Sequence, residues 1–202
     1  MRQERWEGIP EDLARTAEFH GHLCPGLVLG YRAVKLALEK GGWERPQDEE
    51  LICVVENDSC SVDAVQYLAG CTFGKGNLFF RDYGKQVFTF ASRKEPGRGV
   101  RVSLRPHAWP SPGETADPEE RRRKAMERFL SLPPEELFRV DEVEVELPPA
   151  AEIRPSVLCA NCGEPTMETR TVVEGDRVLC IPCSRGWIPP WKARKGEGTQ
   201  SS

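Results

Sequence analysis

Cys159-Ala160-Asn161-Cys162 and Cys180-Ile181-Pro182-Cys183 are two C-x2-C knuckles separated by 17 residues. Each places two thiolates on one tight turn, and Zn²⁺ takes four such sulfurs in a tetrahedron. Between them, residues 168–173, then Glu174-Gly175-Asp176, then residues 177–179 predict strand, turn, strand. A hairpin of that length returns the second knuckle to the first. Two disulfides or four unrelated thiols are the alternatives, and the spacing favours a zinc ribbon. A closed four-sulfur site is structural, because no coordination position remains for a substrate. The function is therefore to be sought upstream of the ribbon.

With 202 residues the chain can hold one well-buried domain plus a small one. Hydrophobic residues make up 39 % and charged residues 30 %, with a net charge of −4, so no overall basic field draws the chain to nucleic acid. No apolar stretch approaches the roughly 18 residues of a membrane span. The opening Met1-Arg2-Gln3-Glu4-Arg5-Trp6-Glu7 is too polar for a secretory signal. A cytoplasmic protein is expected, in which eight cysteines are ligands or reactive thiols rather than disulfides.

Outward from the ribbon, Pro148-Pro149 through Pro155 reads as a linker. Before it, residues 140–147 alternate, with Val143, Val145 and Leu147 on one face and Glu142, Glu144 and Glu146 on the other, the pattern of a half-buried strand. Residues 11–19 predict a short helix. A second runs over 25–40, with Leu27, Tyr31, Val34 and Leu38 forming one stripe, Pro25 at its first position and Gly41-Gly42 as its stop. Residues 51–56 are an apolar run of strand length, and 61–69 predict a third helix capped by Ser59 or Ser61 and ended by Gly70. Residues 86–92 and 100–104 predict paired strands, and 118–130 a charged helix. This order lacks the alternation of a doubly wound parallel sheet. It predicts an α+β core over 1–150, with helices packed on a largely antiparallel sheet, a four-cysteine ribbon over 151–190 and a disordered tail over 191–202.

Phe19-His20-Gly21-His22-Leu23-Cys24-Pro25-Gly26 holds two of the three histidines and one cysteine within five positions, at a corner between helices. Cys24 falls at the N-cap of the helix beginning at Pro25, where unpaired N–H groups and the helix dipole favour a thiolate. In Glu56-Asn57-Asp58-Ser59-Cys60-Ser61-Val62-Asp63-Ala64-Val65-Gln66, Cys60 stands at another helix start. Asp63 falls in the first turn, where a carboxylate is favourable merely as a capping charge. The alternative is a polar corner with a capping cysteine and hydrogen-bonded histidines, but H-x-H-x-C is denser in ligands than such corners usually are. The joint expectation is one metal held by His20 and/or His22, Cys24 and Cys60. These nitrogen and sulfur donors suit zinc and do not exclude iron or nickel.

Cys71 lies beyond the third helix, roughly 15 Å from Cys60 if that helix is intact, too far to share an ion. It could line the same cleft or approach a neighbouring copy of the chain. Gly70-Cys71-Thr72-Phe73-Gly74-Lys75 fails as a phosphate-binding loop, being one residue too short and preceded rather than followed by a helix. Lys75 could still meet an anion over its glycine-rich turn. Cys53 reads as an inert core thiol and His107 as a surface residue.

Together with Asn57 to Gln66 and Gly70-Cys71-Thr72-Phe73-Gly74-Lys75-Gly76-Asn77, the histidine-cysteine corner resembles the FmdE family, and Asp82-Tyr83-Gly84-Lys85-Gln86-Val87-Phe88-Thr89-Phe90 fits as well. The family takes its name from one component of formylmethanofuran dehydrogenase, a molybdenum- or tungsten-containing complex. The resemblance covers roughly residues 10 to 150, and many members carry a C-terminal zinc ribbon. It implies an α+β core that binds a metal through histidine and cysteine, as a homodimer. It does not imply the dehydrogenase chemistry, whose molybdenum or tungsten centre belongs to other components of the complex.

The leading expectation is thus a metal-binding subunit or accessory protein of such an oxidoreductase, partnered by its large molybdenum or tungsten subunit. Cys24, Cys60, Asp63 and Lys75 would face a small substrate or cofactor intermediate. A free-standing metal-dependent hydrolase or transferase, with Asp63 as base to a zinc-bound water, is the second. A nucleic-acid or protein-binding module working through the ribbon and Arg177, Arg185, Lys192, Arg194 and Lys195 is the third.

Overall fold

The structure, a computed structural model, describes residues 8–109 and 117–193. They fall into two compact units that divide between Ala151 and Glu152. The first contains α1 (Glu11–His20), α2 (Pro25–Gly41), β1 (Leu51–Val55), α3 (Ser61–Ala64), β2 (Leu78–Phe80), β3 (Val87–Ser92), β4 (Gly97–Leu104), α4 (Pro118–Ser131), α5 (Pro134–Leu137) and β5 (Phe138–Val145).

Its five strands form one sheet in the order β2-β1-β3-β4-β5. Only β2 runs parallel to its neighbour; the other three pairings are antiparallel. The largely antiparallel α+β core is therefore present, with one strand, β2, that the sequence pattern does not announce. Alternation sends Leu51, Cys53, Val55, Phe88, Phe90, Val100 and Val102 to one face, where they join Leu13, Ala17, Leu27, Val34, Ala64 and Phe129 in a single core. Helix α2 is the spine of that core: Leu27, Val28, Leu29, Ala33, Val34 and Ala37 are fully buried. Its limits follow the sequence, with Pro25 in the first turn and Gly42 closing the helix at φ 69°.

Two glycines one helical turn apart set how close α3 approaches α2. A Cβ on Gly30 would lie 2.3 Å from the Ser61 carbonyl oxygen, and one on Gly26 would lie 3.2 Å from Cys60 Cβ. No larger residue at position 30 leaves the backbone of Ser61 where it is. The predicted third helix is present but changes character. Its first turn is α, and Val65–Ala69 continues as a π-helical turn ended by Gly70 in the left-handed conformation. Neither Ser59 nor Ser61 caps it by side chain. Both hydroxyls turn instead to Asn57 Oδ1, at 2.8 and 3.1 Å.

In β5, Val143 and Val145 alternate with exposed Glu142 and Glu144 as the pattern requires, though the strand spans Phe138–Val145 rather than 140–147. Residues 148–151 are tied to the first unit: Arg93 donates to the carbonyls of Pro148 and Pro149, and the Ala151 N–H to Glu49.

The second unit consists of two hairpins. β6 (Ser156–Leu158) pairs with β7 (Pro165–Met167), and β8 (Thr171–Glu174) with β9 (Arg177–Cys180), followed by the short helices α6 (Ile181–Ser184) and α7 (Pro190–Ala193). The expected strand over 168–173 begins later, because Glu168–Arg170 forms a 3-10 turn. Of the tail expected to lack structure from residue 191, residues 191–193 complete α7, and residues 194–202 lie outside the described residues. Among the described residues no helix is long and apolar enough to cross a membrane.

Candidate metal centres

His20 is the last residue of α1, and Gly21, at φ 96°, turns the chain so that Cys24 arrives four residues later as the N-cap of α2. Cys24 Sγ accepts the Leu27 N–H at 3.4 Å and lies 3.9 Å from His20 Nε2. The His22 ring stands 4.5 Å from that of His20, centroid to centroid. Cys60 comes from the turn before α3, brought in by the close packing at Gly26 and Gly30. Ligand atoms of His20, His22, Cys24 and Cys60 all lie within 4.8 Å of one another. The structure therefore gathers all four residues that the sequence proposes for a core metal. His22 is the exposed one, and the other three are half-buried.

The opposite nitrogen of His20 faces Asp63: Nδ1 and Oδ2 are 2.6 Å apart. An ionised carboxylate only accepts, so Nδ1 carries a hydrogen and Nε2 is the nitrogen left to face the sulfurs. Gln66 Nε2 donates to the other Asp63 oxygen at 2.9 Å. Both carboxylate oxygens are thus engaged, which makes Asp63 the residue that orients His20 rather than a free base. Metal-ligating histidines are ordinarily held in this way.

A polar network fixes the Cys60 turn from below. Ser61 Oγ donates to Gln86 Oε1 at 3.0 Å, Gln86 Nε2 to Ser59 Oγ at 2.9 Å, and Asn57 Nδ2 to the Lys85 carbonyl at 2.9 Å. Asn57, Gln66 and Gln86 carry no ligand chemistry of their own, and the sequence offers no signal that singles them out for this support.

The expectation that helix N-termini ionise both thiols is corrected in part. Cys60 has helical backbone angles (φ −51°, ψ −25°) and caps nothing with its side chain. Burial pushes the Cys24 thiol up, the Leu27 N–H pulls it down, and Cys60 beside it pushes it up again. Two neighbouring thiols resist joint ionisation, and a cation between them reverses that preference. Two imidazoles and two sulfurs are donors that fit zinc.

Lys75 and Cys71 are not brought to this cluster. Lys75 Nζ donates to the Asp48 carbonyl at 3.3 Å, in the turn beyond the far end of the third helix. Cys71 is fully buried and donates to the Leu51 carbonyl at 3.5 Å; it is a core thiol that lines no cleft. Cys53 is buried in β1 as expected, and His107 is exposed.

In the second unit Cys159 and Cys162 lie between β6 and β7, Cys180 ends β9 and Cys183 sits on α6. Their four sulfurs also lie within 4.8 Å of one another, with Cys162 and Cys180 at 4.0 Å. A tetrahedron with Zn–S bonds near 2.3 Å needs sulfurs about 3.8 Å apart, so the set fits zinc. The Cys180 N–H points at Cys159 Sγ from 3.2 Å. N–H groups of Cys162 and Cys180 draw the Cys159 thiol down to about 6. Burial and the neighbouring thiols push Cys162 up to about 12 and Cys180 up as well, so the four resist joint ionisation until a cation lies among them.

A helical layer on an antiparallel sheet, a histidine-cysteine cluster and a separate four-cysteine finger define a class of small two-part protein. Residues 19–139 match the family described as FmdE, molybdenum formylmethanofuran dehydrogenase operon, and residues 153–186 match the prokaryotic dksA/traR C4-type zinc finger. The chain belongs to the FmdE family, and its second unit is a C4 zinc finger. A crystal structure of a tungsten formylmethanofuran dehydrogenase FmdE-like protein from Syntrophus aciditrophicus is similar to it, with a TM-score of 0.65 and 26 % identity, over 89 % of this chain and 92 % of that one. A probable S-adenosyl-L-methionine-binding protein of Archaeoglobus fulgidus is 34 % identical over 196 residues, covering 85 % of this chain. The chain spans about half the length of that relative (52 %).

Proposed function

We propose that the first unit is a metal-binding accessory protein or subunit of a molybdenum- or tungsten-dependent oxidoreductase of the formylmethanofuran dehydrogenase type, acting as a homodimer in the cytoplasm. The observation that carries this is the convergence of His20, His22, Cys24 and Cys60 within 4.8 Å, together with the Asp63 hydrogen bond that aims His20. The kinship of the fold to an FmdE-like protein supports the choice of partner.

His20, Cys24 and Cys60 are the permanent ligands of this centre, and exposed His22 is the one that yields its place to an incoming group. The ion is zinc, with iron or nickel as the alternatives for the same donors. Bound there, it supplies a Lewis acid beside two sulfurs. The protein's own contribution is to fix the tautomer of His20 through Asp63, to hold Cys60 through Asn57, Ser61 and Gln86, and to present Cys24 on α2.

Metal analysis of the purified chain tests this directly. Two ions per chain are expected, and Cys60→Ala should lose one while the finger keeps its own. One ion in the unaltered protein removes the core centre. Co-purification with a large molybdenum or tungsten subunit is the expected partner signature. A second reading, a binding protein for S-adenosyl-L-methionine, is favoured by the Archaeoglobus relative; saturable binding of that compound to the isolated chain would select it. A free-standing hydrolase has less support, since both oxygens of Asp63 are occupied.

A further inference from the structure

Beside the core cluster, on the α4 side of α2, lies a hollow of about 300 Å³ lined by Pro25, Gly26, Trp109, Arg121, Arg122 and Ala125. Its volume is at the lower end of the range for small-molecule sites. Gly26 stands between it and the cluster: it follows Cys24 by two residues and packs so closely on Cys60 that an added Cβ would lie 3.2 Å from Cys60 Cβ.

The walls are of two kinds. Trp109 is 45 % exposed, yet its ring is anchored edge-on against buried Phe129, 5.0 Å between centroids. The segment leading to it is pinned to α4 by Arg128, which donates to the carbonyls of Ala108 and His107. The indole is therefore a fixed platform flanked by Pro25 and Ala125. In the same lining, the guanidiniums of Arg121 and Arg122 make no hydrogen bond or ion pair among the described residues. Of the neighbouring acids, Glu120 pairs with Lys124 at 3.0 Å and Asp117 caps α4. Two such guanidiniums in one hollow with an indole suit a flat ring bearing an anionic group.

We propose that this hollow is a ligand site beside the core centre, taking a small planar molecule that carries a carboxylate or phosphate. The ring lies on Trp109, and Arg121 and Arg122 hold the anion. S-adenosyl-L-methionine, with a sulfonium and an ammonium against one carboxylate, is the wrong charge for it. The site does not depend on the metal-binding role proposed for the first unit.

The test is NMR titration of the ¹⁵N-labelled full chain, following the Trp109 indole N–H and the Gly26 amide. The probes are AMP and benzoate, with adenosine and benzyl alcohol as uncharged counterparts. At least one anion should shift both signals saturably, and the better of the two distinguishes a phosphate from a carboxylate ligand. Its counterpart, and the double variant Arg121→Gln/Arg122→Gln, should bind at least roughly tenfold more weakly, as loss of charge-assisted hydrogen bonds implies. Both arginines are exposed on α4, so the variant should fold as the parent does. Equal binding of charged and neutral probes, unchanged binding by the double variant, or no shift with either anion up to about 10 mM overturns the proposal. One ion per chain with AMP or benzoate still bound removes the core centre and leaves the anion site. Two ions with neither probe bound removes the anion site alone.

Discussion

His20 Nδ1 stands 2.6 Å from Asp63 Oδ2, a contact between residues 43 positions apart that joins the end of α1 to the first turn of α3. It fixes which nitrogen of His20 faces Cys24 and Cys60. Asp63→Ala should lower the affinity of the core centre about 10- to 100-fold, the usual cost of losing such a partner, and leave the finger's zinc unchanged. Chelator competition on both proteins measures this. Equal release of the core ion would show that Asp63 serves only as a first-turn charge.

Gly30 predicts a different kind of failure. Alanine is the better helix former by about 1 kcal/mol, so a free helix would gain from Gly30→Ala. Here the new Cβ meets backbone atoms of Ser61 at 2.3 to 2.8 Å, which no side-chain rotation relieves. Overpacking of this kind costs about 1–3 kcal/mol, and the displaced Ser61 carries Cys60 with it. Urea unfolding should show lower stability for Gly30→Ala, and metal analysis a weaker core centre. Gly26→Ala, which meets only Cys60 Cβ at 3.2 Å, should be milder on stability. A Gly30→Ala protein as stable as the parent would mean that α3 has room to move.

Both ends of α2, the His20-His22-Cys24 group and the four finger cysteines are readable from local rules, because a proline, two glycines and close histidine and cysteine spacing act within a few residues. What local rules miss depends on distant partners. Leu78-Phe79-Phe80 is too short to show a period, and becomes β2 only because β1 offers it a parallel edge. Cys60 resembles an N-cap by position, yet its backbone is already helical and its place is set by Gly26, Gly30 and the Gln86 network. Asp63 has a sufficient local explanation as a first-turn charge, which conceals its bond to His20. The π-helical continuation over Val65–Ala69 has no sequence signal that we can identify.

Asp12 provides a pH signature of the α1–α2 contact. Burial works against its ionisation, but hydrogen bonds from Lys35 and Tyr31, both 2.9 Å, outweigh that and hold its carboxyl below the ordinary range. A depressed folded-state value stabilises the fold above the unfolded-state pKa, near 3.9, and the contribution is lost as pH falls through the folded-state value. The stability difference between the parent and Asp12→Asn should therefore be constant above about pH 5 and shrink below about pH 4. Urea midpoints across that range decide it; a difference that grows on acidification contradicts the assignment.

Cys53 and Cys71 should separate from the six remaining thiols by reactivity. Both are fully buried, Cys53 in β1 and Cys71 against the Leu51 carbonyl. Burial pushes Cys71 up to about 12 and Cys53 well above the ordinary thiol value. At pH 8 a thiol titrating near 12 is about 10⁻⁴ thiolate, and only the thiolate attacks an alkylating agent. Cys24 and Cys60 are half-buried and, in a metal-loaded protein, held by the core ion. Iodoacetamide should therefore leave Cys24 and Cys60 unmodified before chelation and label them afterwards, together with the four finger cysteines. Cys53 and Cys71 should remain unlabelled until urea unfolds the first unit. Peptide mass spectrometry assigns each site. Labelling of Cys24 and Cys60 before chelation would argue that no ion holds them, whereas early labelling of Cys71 would mean that β1 and the glycine-rich turn open far more readily than their packing allows.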